Sequence, residues 1–177
     1  MSMLKVPVGN EDHIEGSLGS PVSFVEYGDY ECPHCGSAYP IVKRVQRHFG
    51  KRLDFVFRNF PLTQVHRYAQ AAAETAEFAA SKGKFWAMHD LLFENQDRLG
   101  PELFAELASN LELDPAELQQ ALADGVFAAR VRTDFTGGVR SGVNGTPTFF
   151  INGQRHNGPS DYESLVQKID EALEAVK

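Results

Sequence analysis

Cysteine is nearly absent from this chain: there are two among 177 residues. At most one internal disulfide can form, and a lone pair of this kind does not by itself place the protein outside the cell. No run of about 18 apolar residues occurs, so no stretch reads as a membrane span. There is no block of like charge, no low-complexity tract and no internal repeat, which excludes charged tails, disordered linkers and solenoid arrays. Basic charge is short: 17 Lys and Arg against 24 Asp and Glu give a net charge of -7. That balance argues against nucleic acid or an anionic membrane as the main partner. The first ten residues lack the apolar stretch of a secretory signal. The expectation is therefore a cytoplasmic protein, with an exported mature form that has lost its leader as the alternative.

What is present suits a packed α/β interior. Apolar residues make up 42% of the chain and Phe is common, at 13. The length allows one domain of ordinary size, or one with an insertion. Val22 to Tyr27 reads as a buried strand. From Pro33 onward Cys35, Ala38, Val42, Val45 and Phe49 fall on one helical face, and Gly50 closes the helix. Leu53 to Arg58 reads as a second strand, so residues 22–58 form a βαβ unit. Residues 64–140 change character and read as an all-helical block. Its helices are expected over Ala69–Ala80, Phe85–Glu94, from Pro101, from a capping box at Asp114-Pro115-Ala116-Glu117 to Gly125, and over Val126–Phe135. Thr148 to Ile151 returns to a strand pattern. Asn152-Gly153 is a hairpin turn signal before a short strand at Gln154–His156. Ser160 is expected to cap a last helix running to about Val176. The division is thus 1–63 with 141–177 as one discontinuous domain, and 64–140 as a helical insertion.

Both cysteines lie in Cys32-Pro33-His34-Cys35, between the first strand and the helix that follows. Pro33 suits a first helical position, where its missing N–H costs nothing. Cys35 lies on the inward face, whereas Cys32 sits at the helix edge and is expected to be reachable by solvent. Cys32 then attacks and Cys35 resolves. Only a thiolate attacks, and the orphan N–H groups of a helix start lower a Cys pKa. A shift of about 3 units is roughly 4 kcal/mol in favour of the thiolate. That preference stabilises the reduced form and makes the disulfide a stronger oxidant. His34 between the thiols adds a donor or, when protonated, a positive charge. A zinc site needs two further ligands. No other Cys exists and the remaining histidines show no ligand spacing, so no metal and no organic cofactor is expected.

In these residues the chain resembles the DsbA-type thiol–disulfide oxidoreductases, a thioredoxin-like fold with a helical insertion. Cys32-Pro33-His34-Cys35 matches that family's active-site tetrapeptide, and Gly145-Thr146-Pro147-Thr148-Phe149-Phe150 resembles its cis-proline loop. Pro40 matches the position where thioredoxin kinks its active-site helix. The likeness covers nearly all of residues 20–177. It implies that Glu26 lies buried beneath the dithiol, with a raised pKa, and relays a proton to and from Cys35. It further implies that the Thr146–Pro147 bond is cis, that the Thr146 backbone pairs with an extended substrate strand, and that the Thr146 hydroxyl tunes the Cys32 sulfur.

The expected function is exchange of the Cys32–Cys35 disulfide with protein or peptide thiols through a mixed disulfide, in the oxidising direction. Electrons pass to a redox partner protein or glutathione. Three alternatives stand beside it: a cytoplasmic disulfide reductase or isomerase, a peptide-binding chaperone-like module, and a kappa-type glutathione transferase or isomerase. The last typically uses Ser in place of the dithiol.

Overall fold

A computed structural model describes residues 2–177. Two strands form the centre of its sheet, β2 (Val22–Gly28) and β3 (Leu53–Asn59). β3 is buried at every position and β2 at all but Ser23, as parallel strands covered on both faces require. They pair in parallel, with Phe24 opposite Phe55 and Glu26 opposite Phe57. The crossover between them is helix α1 (Pro33–Phe49), which carries Pro40 in its interior and ends on Gly50 at φ 55°. Strand β1 (His13–Glu15) lies antiparallel to β3. Strand β4 (Thr148–Ile151) lies antiparallel to β2, and β5 (Gln154–Arg155) antiparallel to β4. The sheet order is β1–β3–β2–β4–β5.

Side chains alternate across this sheet. Phe24, Phe55, Phe57, Phe149 and Ile151 face the larger core with Val42, Val45, Leu165 and Ile169. Val25, Tyr27, Val56 and Phe150 face a smaller one with Phe60 and Val143. Glu26 shares the parity of Phe24, so its carboxyl enters the larger, apolar side.

Helices α2 (Ala69–Ser81), α3 (Phe85–Glu94), α4 (Pro101–Asn110), α5 (Pro115–Asp124) and α6 (Ala128–Arg140) all come between β3 and β4 in the chain. Helix α7 (Tyr162–Ala175) closes it, with Leu165 and Ile169 fully buried. Gly137-Gly138 is a close contact: a methyl at Gly138 would lie 2.7 Å from the Phe60 ring.

Several local expectations need correction. Asp161, not Ser160, caps α7, accepting the Ser164 N–H at 2.9 Å. Asp161 is the residue directly before the helix, so its carboxylate, one position nearer the free N–H groups than the Ser160 hydroxyl, makes the cap. Asp114 caps α5 through the Ala116 N–H, but Glu117 turns away to Lys82, so the reciprocal half of the box is missing. Helix α6 starts later and runs further than the apolar spacing suggested, through Arg140. The first residues also have structure. Leu4 and Ser2 bond to Gly153 and Arg155 at the β5 edge. Further on, Asp12 and the carbonyls of Val6 and Pro7 take up the Arg58 guanidinium.

Candidate active site

Cys32 is the N-cap residue of α1, with Pro33 at the first helical position. Its backbone is held from three sides. The Cys32 N–H donates to the Asp29 carbonyl at 3.1 Å, and the Cys32 carbonyl accepts from Gly36 N–H at 3.0 Å. The Gln96 amide donates to the carbonyls of Tyr30 and Cys32 at 2.8 and 2.9 Å. Gly36 permits that approach, since a methyl there would sit 2.2 Å from the Gln96 amide oxygen. Gln96 lies in a 3-10 turn after α3 and carries no signal in the sequence for this role.

Both cysteines are free thiols, and Cys35 is fully buried as its helical face requires. Cys32 is only 3% exposed, so the expectation of an open sulfur is corrected. The physical reason is the 145–147 loop, which packs against it: the Cys32 thiol lies 3.5 Å from the Thr146 carbonyl. The Thr146–Pro147 bond is cis.

The two thiols differ in electrostatics. The Cys32 pKa is lowered to about 5. A hydrogen bond from the Cys35 thiol contributes most. Burial works against it, and the Thr146 side chain and the backbone N–H groups of Cys35 and His34 add to the lowering. Cys35 is pushed well above the ordinary thiol range, first by burial, then by its bond to Cys32 and the charges of Glu26 and Cys32. Glu26 is 3% exposed, and one carboxyl oxygen has no partner. Burial, with the Cys32 charge second, raises its pKa to about 8. The Thr146 hydroxyl is likewise buried, with no hydrogen-bond partner. His34 is exposed, and what reaches Cys32 from it is the backbone N–H rather than the ring.

Thus Cys32, Cys35, Glu26, Thr146 and the His34 backbone converge, while Pro33 and the His34 ring face outward. A cleft of about 360 Å³ runs beside them, lined by His34, Ser37, Ala38, Ile41, Pro147 and Ser160. A larger cleft of about 900 Å³ lies between the N-terminal arm and α6, where Arg58, Asp12 and Tyr27 already satisfy one another. Beside it, Arg130 reaches Asp134 and Glu77 at 3.6 and 3.8 Å. Among the described residues no group of three or more His, Cys, Asp or Glu side chains is placed to hold a metal ion.

A family model described as thioredoxin matches residues 9–171. The chain belongs to the thioredoxin family. BdbD from Bacillus subtilis, in its oxidised form, aligns with a TM-score of 0.87 and 26% identity over 98% of both chains. Alpha-DsbA1 from Wolbachia pipientis aligns at 0.83 and 18% identity over 98% of this chain and 96% of its own, a likeness of fold. Within the thioredoxin family its fold is that of the DsbA-type proteins. Its curated relatives are longer. A protein named Na(+)/H(+) antiporter NhaA 3 from Salinispora tropica is 44% identical over 98% of this chain, which spans 27% of that protein. One named Na(+)/H(+) antiporter NhaA 1 from Mycobacterium sp. (strain KMS) is 41% identical over 93% of this chain, again 27% of its length. Among the described residues no helix is long and apolar enough to cross a membrane.

Proposed function

We propose that this chain oxidises protein thiols, with Cys32 as the exchanging sulfur and Cys35 as its buried partner. The observation that carries the reading is the split between the thiols: Cys32 is held near pKa 5 while Cys35 stays protonated. A depressed acid stabilises the folded reduced form above its unfolded pKa, and that stabilisation is lost as pH falls through the folded value. At neutral pH the span from about 5 to 7 corresponds to at most about 2.7 kcal/mol in favour of the reduced state, and solvent screening at the helix tip reduces this to about 1–2 kcal/mol. The disulfide form gains nothing equivalent, so its potential rises by about 20–40 mV.

A substrate thiolate attacks the Cys32 sulfur, the Cys32–Cys35 bond breaks, and its electron pair goes to Cys35. Glu26, protonated near neutrality and close enough for its charge to act on Cys35, supplies the proton that Cys35 takes up. A second substrate thiolate attacks the substrate-side sulfur of the mixed disulfide. Cys32 leaves as thiolate and accepts the Thr146 hydroxyl hydrogen bond. The products are a substrate disulfide and the enzyme dithiol, with one proton left on Cys35. The Thr146 N–H has no partner among the described residues, which suits an extended substrate strand pairing there. Pro33 and His34 line the approach. An oxidant of this poise works where thiols are not kept reduced, so we place it in an exported setting rather than the cytoplasmic one.

Cys32→Ser should abolish thiol oxidation yet keep peptide affinity; unchanged activity would sink the assignment and leave the binding-module alternative. The antiporter relatives add one client class. In them a counterpart of this chain is part of the same polypeptide as a protein named for cation exchange, which supports a membrane transporter as substrate. A Cys35→Ala variant should then capture such a transporter as a thiol-reversible adduct, and its absence among adducts would remove that client.

A further inference from the structure

Asp29 follows β2 directly and is buried, at 1% exposure. Its backbone holds the dithiol turn: its N–H donates to the Cys35 sulfur at 3.5 Å and its carbonyl accepts from Cys32 N–H at 3.1 Å. Its carboxylate reaches elsewhere. One oxygen accepts the Glu31 N–H at 2.8 Å. The other accepts the Leu62 N–H at 2.9 Å and the His66 Nδ1–H at 2.8 Å. A single side chain therefore ties the dithiol turn to the loop between β3 and α2. The Glu31 carboxylate makes a second tie, to the Tyr68 N–H.

The backbone of Asp29 touches both cysteines, so a negative charge on its side chain lies in the neighbourhood of the thiols and opposes ionisation of Cys32. Something must answer that charge if the thiolate is to persist, and the His34 ring is turned to solvent. His66 is placed to do it. Its side chain is 18% exposed, its Nδ1 is fixed on Asp29, and its Nε2 makes no hydrogen bond among the described residues.

We propose that His66, outside the Cys-Pro-His-Cys motif, is a positioning residue of the redox site, whose imidazolium neutralises Asp29 and holds Cys32 in the thiolate form. The proposal rests on the oxidant reading above. The titratable groups facing the ring are Asp29, Cys32 and Glu31, all acidic. Burial disfavours the charged ring, but the Asp29 hydrogen bond and charge, then Cys32 and Glu31, outweigh it and raise the His66 pKa. An imidazolium at His66 and a thiolate at Cys32 thus favour each other.

The test compares His66→Gln, which keeps an N–H for Asp29 without the charge, with His66→Ala, which keeps neither. Thiolate absorbance against pH gives the Cys32 ionisation constant, and equilibration with glutathione gives the redox constant. Both variants should lower the ionisation constant by roughly three- to tenfold, the effect of one unit charge at a screened distance. The redox constant should shift by a similar factor toward the disulfide. A His66→Gln protein that matches the wild type in both readouts overturns the proposal, whether or not His66→Ala differs. If both variants unfold, the wild type decides. The His66 ring resonances must then shift as Cys32 ionises and must lose that step in Cys32→Ser. An ordinary Cys32 pKa in the wild type would instead defeat the oxidant reading itself.

Discussion

Glu26→Gln isolates the buried carboxyl beneath the dithiol. The fold raises the Glu26 pKa from 4.5 to about 8. For a raised acid the folded state binds its proton more tightly, so stability is complete below pH 4.5 and is lost as pH rises through about 8. The full loss corresponds to about 5 kcal/mol, and at neutral pH, between the two values, to about 3 kcal/mol. Glutamine does not titrate and escapes the loss. Its amide still sits beside Phe57 and Phe149, the direct cross-strand neighbours of position 26, but that cost does not vary with pH. Urea unfolding of the two reduced proteins should therefore give a difference that grows toward the variant from about pH 5 to about pH 8.5. Cys32 titrates in both proteins and cancels. Because its charge is the second cause of the Glu26 shift, the difference should shrink when both proteins are oxidised. A difference that is flat with pH in the reduced state would mean that Glu26 ionises normally and cannot relay a proton near neutrality.

Cys35→Ala removes the largest contribution to the low Cys32 pKa, and Cys35→Ser retains a hydroxyl donor. Thiolate titration should give the order wild type lowest, Ser intermediate, Ala highest; equal values would refute the thiol–thiol hydrogen bond. Gly36→Ala should displace Gln96 from the Tyr30 and Cys32 carbonyls and cost about 1–3 kcal/mol in urea unfolding, with Gln96→Ala largely non-additive to it. Asp161→Ala should cost about 1 kcal/mol without changing the Cys32 titration, because it removes only the cap of α7.

The scaffold was legible because its signals are local. The buried face of α1, the βαβ unit and the Asn152-Gly153 turn, with both residues at positive φ, follow from spacing and turn chemistry alone. The place of Glu26 was legible only through the family resemblance, and the parity of β2 supplies its physical reason. Strand β1 escaped notice because three half-buried residues carry no period, and its place is set by pairing with β3. Gln96, Asp29 and His66 escaped for a related reason. Each acts through hydrogen bonds that the fold closes across tens of residues, and a lone polar residue in a loop looks the same whether or not its partner arrives. The exposure of Cys32 was misjudged because the helix was read without the 145–147 loop that covers it.

Thiolate absorbance of the reduced protein against pH, with Cys32→Ser as the blank, bears most directly on an ionised sulfur at the tip of α1. The midpoint should fall at about 5. A midpoint near 8.5, that of an ordinary free thiol, would contradict it and remove the physical basis for an oxidising dithiol.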